Sequence, residues 1–192
     1  MTEHEELPEP DAGSTLLAAG LMYAVVAAIA LLWLWWRDRL DALPEAAVGR
    51  HGPWAASGVG LAVGCLGAVG LALLARRLRA LQHYETLAQH ALGRMGDGST
   101  LALVLVGAVA EEIFFRLAVQ DALGLPGSVA LYVLLYSSVA GLWLIPFALL
   151  HALALGSIVQ QGFGLLGSTT AHSILNYLSL RRILCQSSSS DC

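Results

Sequence analysis

Apolar positions run through this chain in long unbroken blocks, and the polar positions are gathered mainly between them. Ser14 to Trp36 forms one block before Trp-Arg-Asp-Arg closes it, and Trp54 to Ala75 forms a second. A helix crossing about 30 Å of hydrocarbon needs roughly 20 apolar residues, so each block predicts a membrane span. Trp33, Trp35 and Trp36, followed by Arg37 and Arg39, fit an interfacial aromatic belt with a charged stop. The second block is rich in glycine, at positions 58, 60, 64, 67 and 70. Small residues at such spacing let membrane helices approach closely.

The pattern then changes. From Arg76 to Ser99, leucines and alanines recur at helical spacing among arginines, histidines and glutamines, which predicts an amphipathic helix lying in the membrane interface. A third span begins near Thr100 and reaches sufficient length only by containing Glu111, Glu112 and Arg116, with a turn at Leu125, Pro126 and Gly127. Residues 129–159 carry no charge and are interrupted only by Pro146; the last apolar stretch runs from Phe163 to Leu180. If residues 129–159 form one kinked helix the chain has five spans, and if they hinge near Gly141 to Pro146 it has six. The predicted fold class is therefore all-α: a polytopic transmembrane helix bundle of five or six spans.

Composition strengthens this reading: hydrophobic residues make up 57% and charged residues 12%, with a mean hydropathy of +0.68. A soluble domain of this length needs more polar surface. The net charge of -4 comes largely from the acidic head, residues 1–13, which is expected to be a disordered aqueous tail, as is the Ser-rich end, residues 185–192. Between them lie two N-terminal helices with the interfacial helix, residues 14–98, and a second bundle, residues 99–184. The head is acidic and the first apolar run is too long for a cleaved signal peptide. Arginines follow both of the first two blocks, so the positive-inside rule gives conflicting votes; a head without basic residues favours an outside N-terminus. Cys65, Cys185 and Cys192 have no metal or disulfide spacing.

The chemistry lies in polar residues at membrane depth. An ionisable side chain in hydrocarbon costs roughly 2.5–3.5 kcal/mol on insertion scales, so such residues face a bundle interior and mark function. Glu112 and Arg116 are spaced i, i+4 and can pair on one helix face. Glu111 points about 100° away round the helix and needs a different partner. Phe147 and His151 lie one turn apart, as do His172 and Asn176. Each histidine alone could be a hydrogen-bonded core residue; the whole set is harder to read as structural.

Glu-Glu-x-x-x-Arg, Phe-x-x-x-His and His-x-x-x-Asn, in that order over residues 99–182, resemble the CPBP family of intramembrane proteases, which includes the type II CAAX prenyl endopeptidases and bacteriocin-processing proteins. The resemblance implies a glutamate-dependent peptide hydrolase in which Glu111 is general base to a water. It further implies that His151 holds and polarises that water, that His172 and Asn176 donate to the oxyanion, and that Arg116 fixes Glu112. A membrane protein or peptide is the implied substrate and the lipid bilayer the setting, in a bacterial cytoplasmic membrane. No cofactor, required metal or nucleic-acid partner is expected; H-E-x-x-H is absent.

The match departs from the family in one place. The family's second-motif helix commonly reads SSxxFxxxH, whereas Ser137 and Ser138 here are followed by Gly141 and Ile145. On that alignment His151 belongs to the next helix. A turn near Gln161 and Gly162 would still bring His151 and His172, each about ten residues from it and so roughly 15 Å away, to similar depth. Two other functions stay open: a pseudoprotease that binds substrates or partners without hydrolysis, and a proton-coupled or substrate-conducting protein using the same residues as a relay.

Overall fold

The computed structural model describes residues 12–92 and 95–188. Most of the acidic head and residues 189–192 of the Ser-rich end therefore lie outside the described residues. The described residues form helices and turns without a strand. These are α1 (Ala12–Trp36), α2 (Leu43–Val48), α3 (Gly52–Ala75), α4 (Arg79–Leu92), α5 (Asp97–Glu112), α6 (Gln120–Ala140), α7 (Ile145–Ile158) and α8 (Gly164–Ser188). A π-helical segment, Ile113–Val119, joins α5 to α6 without a break in the rod, and a second, Val159–Phe163, follows α7.

The chain is a membrane protein with an all-α bundle. Three stretches are long and apolar enough to cross a bilayer: Gly13–Trp36, Gly52–Ala75 and Leu142–Cys185. The last is 44 residues long, but Gly162 (φ 89°) and Gly164 (φ 66°) reverse the chain within it. Those backbone angles are costly for residues with a Cβ, which is why the turn falls at the glycines. Gly141 (φ 94°) likewise separates α6 from α7, so residues 129–159 form two helices rather than one kinked helix. The predicted turn after the motif helix begins one residue early, at Gly124 (φ 71°). Pro126 then restarts the helix, where its missing N–H loses no bond. Pro53 and Pro146 stand in the first turns of α3 and α7 for the same reason.

Two closely packed helix pairs frame the interior. α3 lies parallel to α8, with Gly60 against Gly167 and Thr170, Gly64 against Ala171 and Ile174, and Gly67 against Leu175. A Cβ at Gly64 would sit 2.7 Å from the Ala171 carbonyl oxygen, a backbone atom that cannot swing aside. Gly58 and Gly70, by contrast, face open space. Gly64→Val is accordingly expected to destabilise the chain by about 1–3 kcal/mol through overpacking, while Gly58→Ala causes no loss. Thermal unfolding in detergent checks this, and equal midpoints for wild type and Gly64→Val would contradict it.

α1 lies parallel to α5 and the π-helical segment, burying Ala30 and Leu34 against Leu117 and Ala118. Its end is tied down by Arg37 and Arg39, which pair with Asp121 at 2.8 and 2.7 Å. α5 runs antiparallel to α8: Asp97 at its start pairs with Arg181, while Glu112 at its end meets His172. The amphipathic segment folds as α4, with Leu81 buried and Glu85 paired to Arg182 of α8. α8 extends to Ser188, so the first residues of the expected C-terminal tail are helical, as are Ala12 and Gly13 of the expected head.

Candidate functional site

Three helices bring the predicted polar residues together. Glu111 and Glu112 come from the end of α5, His151 from the middle of α7, and His172 and Asn176 from α8. Glu112, Arg116 and His172 are buried, each exposing 2% or less. The i, i+4 pair forms as expected, with Arg116 Nε donating to Glu112 Oε2 at 3.3 Å. Arg116 is held from its other side by Ser128 Oγ at 3.2 Å, and Ser128 in turn donates to the Phe115 carbonyl at 2.8 Å. Arg116 is thus fixed between its own helix and α6.

The adjacent glutamates part company in their surroundings. Glu112 is committed at both oxygens, because Oε1 lies 3.0 Å from His172 Nδ1. A guanidinium only donates, so Arg116 holds Glu112 as an acceptor and Nδ1 is the donor in that bond. The opposite ring nitrogen, Nε2, faces Glu111 Oε2 at 3.8 Å. One imidazole therefore stands between two neighbouring carboxyl groups, anchored to one and open to the other. Glu111 keeps 26% of its side chain accessible against 1% for Glu112. That accessible side faces a cavity of about 650 Å³, whose walls include Glu111, His151, His172 and Asn176.

His151 sits edge-on to His172, with ring centroids 4.7 Å apart at 78°, and stacks on Tyr132 at 5.6 Å. Its Nε2 is buried with no hydrogen-bond partner among the described residues. Buried polar atoms are rarely left so, and each such case calls for an explanation. Tyr132 in turn packs against Phe115 with ring centroids 4.9 Å apart, so the aromatic side of α6 holds the α7 histidine against the carboxylate helix. Ser137 and Ser138 do not reach this site: their hydroxyls donate to Leu134 and Leu135 carbonyls of their own helix, α6.

The π-helical segment begins immediately after Glu112. Such segments are rare and frequently occur at functional sites, and nothing in the residue pattern of Ile113–Val119 discloses it. Tyr23 of α1 is the other feature that the sequence left unmarked. Its ring lies against Gly107, one turn before Glu111, and its hydroxyl neighbours the Glu111 carboxyl group. Among the described residues, no three His, Cys, Asp or Glu side chains are grouped to hold a metal ion.

The arrangement combines one open carboxyl group, a histidine whose Nε2 is buried without a partner among the described residues, and a second histidine anchored by a buried ion pair. Glu111, His151 and His172 all contribute to the wall of one mostly apolar cavity. That combination can hold and deprotonate a small polar molecule such as water. Comparison of the chain with protein-family models, characterised proteins and solved structures finds no match.

Proposed function

We propose that the chain is a glutamate-dependent intramembrane endopeptidase in the manner of the CPBP proteases, acting in the cytoplasmic membrane of a bacterium on a membrane-associated protein or peptide. The observation that carries this reading is the meeting of Glu111, His151 and His172 in the wall of one cavity, with His172 between the two glutamates. A carboxylate within reach of a held water is the geometry of a general base. In this reading Glu111 takes a proton from the water, and the resulting hydroxide adds to the carbonyl carbon of the scissile bond. His151 holds the water. His172, as an imidazolium with Nδ1 on Glu112, donates from Nε2 to the oxyanion together with Asn176, and preorganised donors stabilise it best where water is excluded. The tetrahedral intermediate collapses with cleavage of the C–N bond, and Glu111 passes its proton to the departing amine. One water is consumed, and a carboxyl and an amino terminus are formed.

Glu112 has a different part. With one oxygen on Arg116 and the other on His172, it orients the imidazole and stands behind the cavity wall that Glu111 lines. Placing His151 on the helix directly before α8 satisfies the need for a second histidine, although the family's serine pattern lies on α6.

The test is cleavage of quenched-fluorophore peptides with apolar residues flanking the central bonds, by the full chain reconstituted in liposomes. Wild type is expected to cleave, and His151→Ala to cleave about 10²-fold more slowly, at the lower end of general acid–base contributions. Undiminished cleavage by His151→Ala would remove His151 from the site. Binding without cleavage by wild type would replace the protease reading with that of a non-catalytic substrate-binding relative.

A further inference from the structure

We propose that Tyr23, from the N-terminal helix outside the three motifs, positions the Glu111 carboxylate for base catalysis through its hydroxyl. The proposal rests on the hydrolase reading above and deepens it. α1 turns Leu21 and Met22 outward, at 61% and 53% exposure, whereas Tyr23 is turned into the cavity wall. Its place is made by Gly107: a Cβ there would stand 2.8 Å from Tyr23 Cζ and 2.9 Å from its hydroxyl oxygen. Glycine therefore lets the ring lie directly on the α5 backbone. Positions 107 and 111 share a helix face, so a ring seated on Gly107 brings its hydroxyl to Glu111.

The consequence is orientational. Tyr23 is half-buried in a mostly apolar cavity wall, where a tyrosine hydroxyl finds a polar partner, and the Glu111 carboxyl group is the neighbour beside it. Glu111 has no guanidinium of its own; its closest ion-pair partner, His172 Nε2, is 3.8 Å away, too far to fix the torsion of the carboxyl group. A hydrogen bond donated by Tyr23 occupies one lone pair of the four available and turns the others toward the cavity that His151 lines. This makes Tyr23 a positioning residue, which acts on the water through Glu111.

Tyr23→Phe deletes the hydroxyl and keeps the ring on Gly107. Misplacing a reacting group by about 1 Å can cost about 10²-fold. The variant is therefore expected to lose roughly 10- to 100-fold in kcat on the quenched peptides in liposomes, with KM and the thermal midpoint unchanged. Gly107→Ala, which pushes the ring off its seat, is expected to lower kcat in the same direction. If Tyr23→Phe cleaves like wild type while Glu111→Gln does not cleave, the positioning role is overturned and the hydrolase reading stands. A fall in kcat accompanied by a lower midpoint or a raised KM would overturn it in favour of a structural role for the hydroxyl. If wild type and Glu111→Gln are alike, the hydrolase reading falls and takes this proposal with it.

Discussion

Glu111→Gln is expected to reduce peptide cleavage by about 10²- to 10⁴-fold, the usual contribution of a general base, while the chain folds and inserts normally. The substitution is nearly isosteric, so the two effects separate. Glu111 has no close ion pair to lose, because His172 Nε2 stands 3.8 Å away and the rest of the side chain faces the cavity. An amide can still accept from Tyr23, so the packing of α1 on α5 is preserved. What the amide cannot do is take a proton from water. The measurement is kcat on the quenched peptides in liposomes, beside thermal unfolding of the same preparation. A variant that keeps the wild-type rate would remove Glu111 from the reaction, and one that fails to fold would make it a structural residue like its neighbour.

Arg116→Met is expected to have the largest effect on stability, lowering it by about 3–5 kcal/mol, the cost of leaving a buried charge without its partner. The guanidinium is enclosed between Glu112 at 3.3 Å and Ser128 Oγ at 3.2 Å. Methionine fills much of the same volume, so the loss is electrostatic more than steric. Glu112 would then lose its guanidinium partner while its side chain stays 1% accessible. Replacing both charges relieves this, since a buried pair exchanged for apolar residues is often neutral. Arg116→Met combined with Glu112→Leu is therefore expected to unfold at a higher temperature than Arg116→Met alone, although His172 Nδ1 then loses its acceptor. Thermal unfolding in detergent of both variants checks this. A single variant as stable as wild type would show that the ion pair does not hold the bundle together.

These two residues also show how far the sequence could be read. Glu112 with Arg116 is a local relation, fixed by helical spacing, and the pair forms as the spacing predicts. α1 and α3 follow from block length alone. What the spacing did give was the consequence of a turn near Gly162: the chain does turn there, and His151 and His172, about ten residues either side, meet. Contacts between distant segments were not legible. Nothing in Ile113–Val119 marks it as π-helical, and a single tyrosine in an apolar helix gives no sign that it lies over Gly107. The glycines of α3 were read as one class, but only the packing distinguishes those set against α8, at 60, 64 and 67, from Gly58 and Gly70, which face open space. Glu111 needed a partner on periodicity grounds, yet that this partner is the other face of the imidazole held by Glu112 is a property of three helices at once.

The central claim, that Glu111 directs water at a peptide bond, is tested most directly by running the cleavage in water enriched in oxygen-18 and weighing the peptide products by mass spectrometry. Wild type is expected to release a fragment whose new carboxyl terminus carries one heavy oxygen, with little or none of that fragment from Glu111→Gln. Equal amounts of labelled fragment from both proteins, or intact peptide throughout with wild type, would contradict the account.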